Sequence, residues 1–152
     1  MGHNFENLKA HILPLSESNY FNKAKKEWVL IGVHLDDDWD ECPCGKEIKE
    51  LCYIENELNG NKTYVGNVCV KQFIEIDTGN LFAGLRRIME DIEANANEDL
   101  IIHAYKLGYI YSEKEFDFLM ETRRKRNLSP KQLAWKKKIN RRIINETKVK
   151  AT

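Results

Sequence analysis

The stretch Cys42-Pro43-Cys44-Gly45, followed by Ile48-Lys49-Glu50-Leu51-Cys52-Tyr53-Ile54-Glu55-Asn56 and by Asn59-Gly60-Asn61-Lys62-Thr63-Tyr64-Val65-Gly66-Asn67-Val68-Cys69, holds all four cysteines of a 152-residue chain. Two strand-like runs, Ile48 to Leu58 and Lys62 to Val68, flank Asn59-Gly60, the dipeptide that best supplies positive φ at both central positions of a type I′ turn. A two-residue turn there predicts that Leu58 faces Asn61, Ile54 faces Val65 and Cys52 faces Asn67. Strand alternation then puts Cys69 on the same face as Cys52. The Cys42/Cys44 turn supplies the other side, with Gly45 permitting the backbone to curl toward sulfur.

Four converging thiols fit a structural zinc site, which takes four thiolate or imidazole ligands in a tetrahedron. The expected ligands are Cys42, Cys44, Cys52 and Cys69. His34, at the end of the preceding strand, is a substitute for Cys52. The competing reading is that the cysteines are small buried hydrophobes. A closed four-ligand site leaves no position for water or substrate, so the metal is expected to be structural rather than catalytic.

Outward from this module, the first dozen residues show no firm period and are expected to cross the surface or pack one turn through Phe5, Leu8 and Ile12. Ser16 or Ser18 caps a helix to about Lys26, and the apolar, β-branched run Trp28 to Leu35 reads as a strand. The acidic stretch from Asp36 to Glu41 reads as a solvated loop without the pattern of a calcium-binding loop. Beyond Cys69 the signals are helical. A short helix runs through Val70 and Ile74, and another carries Leu81, Leu85, Ile88 and Ile92 on one face. A third spans Glu98 to Leu107 and stops at Gly108. Ser112 with Glu115, and Ser129-Pro130-Lys131-Gln132, form capping boxes for two more. The last helix puts Trp135, Ile139 and Ile143 on its inner side. The fold class expected is α+β: a zinc-bound, treble-clef-like β-hairpin with an N-terminal helix and strand, and a helical C-terminal half. Regions 1–78 and 79–152 are expected to form one cooperative unit.

The motifs Cys42-Pro43-Cys44-Gly45, Val65-Gly66-Asn67-Val68-Cys69 and Leu128-Ser129-Pro130-Lys131-Gln132-Leu133 together resemble a zinc-finger family of bacterial and bacteriophage proteins. The resemblance covers about two thirds of the chain. It implies bound zinc and a phage or mobile-element context, and it carries no activity over.

Formal net charge is zero, from 24 Lys and Arg against 24 Asp and Glu, but the charges are segregated. Residues 1–122 hold 12 basic and 23 acidic side chains, whereas residues 123–152 hold 12 basic and one acidic, Glu146. A one-signed stripe of this kind is the electrostatic footprint of a nucleic-acid contact. The candidate phosphate contacts are Arg123, Arg124, Lys125, Arg126, Lys131, Lys136, Lys137, Lys138, Arg141 and Arg142. Tyr105, Tyr109 and Tyr111 are candidates for base stacking, weighed against core positions. The function expected is a zinc-binding, nucleic-acid-binding accessory protein acting on DNA or RNA. The alternative is a protein-interaction adaptor or inhibitor that engages a host enzyme through the acidic N-terminal surface. The scattered histidines form no H-E-x-x-H or deaminase-type set, so an enzyme is not expected. Absence of a signal-peptide pattern and of long apolar runs points to the cytoplasm, where thiols stay reduced.

Overall fold

A computed structural model of the chain describes residues 3–74 and 78–149. The chain divides into two compact units, Met1–Thr78 and Gly79–Thr152. The architecture is α+β, with a three-stranded antiparallel sheet in the first unit and a helical second unit.

The first unit opens with α1 (His3–Ile12), a regular helix where the sequence promised at most a turn. Phe5, Leu8 and Ile12 stand at i, i+3 and i+7, one stripe of a helix, and Leu8 and Ile12 are fully buried. A short helix α2 (Phe21–Ala24) and a 3-10 turn (Lys25–Glu27) follow, in place of the longer capped helix expected from Ser16 or Ser18. Glu27 holds this segment together. Its carboxylate accepts the Glu17 and Ser18 amides at 2.8 and 3.0 Å and the Asn56 side-chain amide at 2.8 Å. Burial pushes the Glu27 pKa up, but these hydrogen bonds more than reverse it and leave it below the usual carboxylate range.

The sheet runs in the order β1 (Trp28–Glu41), β2 (Glu47–Asn56), β3 (Lys62–Gly66). β1 continues through the acidic stretch expected to be a loop. The extra residues are absorbed where pairing slips from Leu35↔Glu50 to Asp40↔Ile48. Asp36 and Asp40 then share a hydrogen bond, which raises the Asp40 pKa and lowers that of Asp36.

The hairpin register differs from the two-residue-turn expectation. Ile54 pairs with Thr63 and Cys52 with Val65, so each β2 residue meets a β3 partner two positions earlier than expected. The cause is Asn56. Its side-chain oxygen accepts the Leu58 and Asn59 amides at 2.8 and 3.2 Å, and its carbonyl accepts the Gly60 amide at 2.8 Å. Asn59-Gly60 therefore lies inside a wider loop, with Gly60 at φ +80°.

The second unit packs four helices: α3 (Thr78–Glu90), α4 (Glu98–Lys106), α5 (Glu113–Thr122) and α6 (Pro130–Ile144). The Asn97 side chain caps α4 through the Leu100 amide at 3.0 Å. The Ser129/Gln132 box closes both ways, at 3.2 and 3.0 Å, with Pro130 in the first turn. Ser112 caps α5 at 3.3 Å, but Glu115 reaches past it to the Tyr111 amide at 2.7 Å, so that box is not reciprocal. Gly108, at φ +85°, terminates α4 as expected. Phe82, Ile88, Leu100, Ile101, Leu119 and Ile139 are buried at the centre of this unit. Among the described residues, no helix is long and apolar enough to cross a membrane.

Candidate metal centre and basic helix face

Cys42 is the first residue after β1, and the chain folds back at once: the Cys42 amide donates to the Lys46 carbonyl at 2.8 Å and the Gly45 amide to the Cys42 carbonyl at 2.7 Å. That turn requires φ +98° at Gly45, a conformation side chains rarely adopt. α1 braces it from the side, where Asn7 Nδ2 donates to the Cys44 carbonyl at 3.1 Å. Cys69 arrives from the far end of the hairpin, at the start of a 3-10 turn (Cys69–Gln72) that follows β3.

The sulfurs of Cys42, Cys44 and Cys69 all lie within 4.8 Å of one another. Thiolates about 2.3 Å from one tetrahedral ion stand about 3.8 Å apart, so these three can hold a metal ion. Cys42 Sγ also accepts the Gly66 amide at 3.3 Å. Gly66 makes this approach possible: a Cβ there would come within 2.9 Å of Ile48 and 3.8 Å of Cys42 Sγ. The Cys42 thiol is drawn down to about 5, first by the hydrogen bond from Cys69 and then, against the opposing effect of burial, by the Cys44 and Gly66 amides. The same bond, with burial, pushes the Cys69 thiol up.

Cys52, expected as a ligand, lies outside this group. The wider hairpin loop sets it opposite Val65 in β3 and Val33 in β1, four residues short of Cys69 rather than beside it. It is fully enclosed, and burial, helped by the charges of Glu50 and Cys42, pushes its thiol up to about 12. Its surroundings are those of a small core residue. His34, the suggested substitute, is exposed on β1 opposite Leu51 and is also outside the group.

The basic candidates separate into two sets. Arg124, Lys125, Arg126, Lys131, Lys138 and Arg141 are exposed. Lys131, Lys138 and Arg141 follow one outer face of α6, at i, i+7 and i+10. The remainder are engaged within the unit, and two of them correct the expected phosphate stripe. Lys136 is fully buried and bonded to Asn95 Oδ1, and Arg142 pairs with Glu115 at 2.8 Å while donating to the Tyr109 carbonyl at 3.1 Å. The signal for Lys136 was in the sequence. Lys136, Ile139, Asn140 and Ile143 stand at i, i+3, i+4 and i+7, one inward stripe with two polar members. Asn140 serves there by donating to the Ile92 and Ala94 carbonyls, both at 2.9 Å. Lys137 lies 3.8 Å from Glu93, and Arg123 donates to the Met120 carbonyl. Of the three tyrosines considered for stacking, Tyr105 packs against Phe116 with ring centres 4.8 Å apart and Tyr109 is buried, leaving Tyr111 exposed.

No protein-family model matches the chain, and no curated protein or solved structure matches it either.

Proposed function

We propose that the chain is a zinc-stapled, nucleic-acid-binding accessory protein. Zinc held by Cys42, Cys44 and Cys69 fixes the turn after β1 to the far end of the β2–β3 hairpin, and exposed cations of the second unit contact phosphates. The observation that carries the nucleic-acid reading is the outer face of α6. Lys131, Lys138 and Arg141 project from it, the exposed Arg124, Lys125 and Arg126 precede it, and among the described residues from 123 to 149 Glu146 is the single acidic one. Lys and Arg side chains that neutralise phosphates release the counterions condensed on the nucleic acid, which drives binding and makes it depend on salt.

Zinc is favoured over other ions by three thiolate donors in a closed, largely buried turn. The metal's part in this reading is structural, as a fixed corner that sets the hairpin.

The test is equilibrium binding of labelled single- and double-stranded DNA and RNA across a salt series. With about six phosphate contacts, affinity should fall on the order of a thousandfold between low and moderate salt. Replacing Lys131, Lys138 and Arg141 by glutamine should cut both the affinity and the salt slope, while Lys136→Met should leave them unchanged. Salt-independent or absent binding overturns the reading. If instead a nuclease-resistant protein complex survives purification, the adaptor reading takes its place.

A further inference from the structure

A closed zinc site needs a fourth donor, and three cysteines supply three. We propose that His11 is that donor, binding through Nδ1 while Thr63 holds Nε2; the inference rests on the zinc reading of the cysteine cluster.

α1 already lies against the site. Asn7 Nδ2 donates to the Cys44 carbonyl at 3.1 Å, and His11 is one turn further along the same face, at i+4. His11 Nε2 is 2.7 Å from Thr63 Oγ1 on β3. Three residues along that strand is Gly66, whose amide bonds Cys42 Sγ at 3.3 Å. A metal-binding histidine characteristically gives its second ring nitrogen to a neighbouring acceptor, which fixes the tautomer and the ring plane. Thr63 provides that partner here, and Nδ1 has no hydrogen-bond partner among the described residues. The alternatives are worse placed: Cys52 faces Val33 and Val65 in the core, and His34 is exposed on β1. His11 stands outside the three-sulfur group, so ligation takes a turn of its side chain toward the sulfurs about the Thr63 contact.

The tautomer and the ligand set can be read directly. In the full chain, cobalt titration should give a tetrahedral spectrum with charge transfer from three thiolates. Long-range proton–nitrogen correlation on the zinc-loaded chain should show His11 metal-bound at Nδ1 and protonated at Nε2. His11→Ala should weaken zinc by about a hundredfold or more, and His11→Cys should restore tight binding with charge transfer from four thiolates. Cys52→Ala should leave affinity and spectrum unchanged. Wild-type zinc affinity in His11→Ala, or loss of affinity in Cys52→Ala with His11 free in the nitrogen spectrum, overturns the proposal and leaves the zinc reading standing. If the wild-type chain takes up no cobalt or zinc, or if Cys42→Ser and Cys69→Ser bind as well as wild type, the zinc reading itself fails and this one with it.

Discussion

Arg142 Nη2 lies 2.8 Å from Glu115 Oε2, in a setting where each side chain keeps 12% of its surface exposed. The same carboxylate accepts Trp135 Nε1 at 3.1 Å, and its other oxygen accepts the Tyr111 amide at 2.7 Å. With Arg142 also on the Tyr109 carbonyl, one ion pair joins α6, α5 and the turn after α4.

Arg142→Ala leaves the Glu115 carboxylate buried without its cation and should destabilise the second unit by about 2–4 kcal/mol, whereas Arg141→Ala on the exposed face should stay within about 0.5 kcal/mol. Burial acts to raise the Glu115 pKa, but the bonds from Arg142, Tyr111 and Trp135 outweigh it and hold it low. The unfolded carboxyl therefore takes up its proton first, and this stabilisation, complete above the ordinary Glu value, is lost as pH falls through the lower folded one. Urea unfolding as a function of pH checks both statements. Equal effects of the two arginine variants would count against the pair.

Lys136 gives the opposite limb. Its ammonium is enclosed against Asn95 and 5.9 Å from the centre of the Phe118 ring, and burial pulls its pKa down to about 8. An unfolded lysine releases its proton near 10.4, so between about 8 and 10.4 the unfolded state binds more protons and stability rises with pH, by about 3 kcal/mol at most. Lys136→Met should be more stable than wild type at neutral pH and should lack this alkaline rise. Parallel pH profiles for the two proteins would refute the point.

Gly45→Ala forces a side chain into φ +98° with its Cβ 3.4 Å from Asn7 Nδ2, and should cost about 1–2 kcal/mol and weaken metal uptake. Gly32→Ala is the control. Its Cβ would meet nothing within 4 Å and its φ is not in the strained region, so stability should hold or rise slightly. Paired denaturation curves and zinc titrations distinguish the two.

Stripping metal with a chelator should lower the melting temperature of the first unit, with recovery on adding zinc. Cys42→Ser and Cys69→Ser should abolish the zinc-dependent increment. Cys52→Ala should lower stability by about 1 kcal/mol through lost packing, yet keep that increment in full. Calorimetry with and without zinc provides the measurement.

Local chemistry was legible in the sequence where one residue's backbone preference decides the structure. The Cys42–Gly45 turn, the Ser129/Gln132 box and the stop at Gly108 are of this kind. Three features escaped because a second interaction competes. Asn59-Gly60 signals a two-residue turn, but Asn56 offers its side-chain oxygen to the amides beyond it and widens the loop. That two-residue difference in pairing moved Cys52 away from Cys69. Asp36 to Glu41 reads as loop from charge alone, and strand pairing with a slip overrode that. Lys136 and Arg142 read as surface cations, although the inward stripe of α6 already contained Lys136, and a buried carboxylate on α5 claims Arg142.

Cys44 and Cys69 bracket the entire β2–β3 hairpin, so an ion shared by both closes a covalent-like ring around it. Because the unfolded chain does not hold the ion, the closed ring is favoured by the binding free energy alone, about 2.7 kcal/mol when free metal stands at a hundred times its dissociation constant. Unlike a disulfide, such a clasp is set by metal supply, so zinc availability would govern how long the hairpin survives thermal opening.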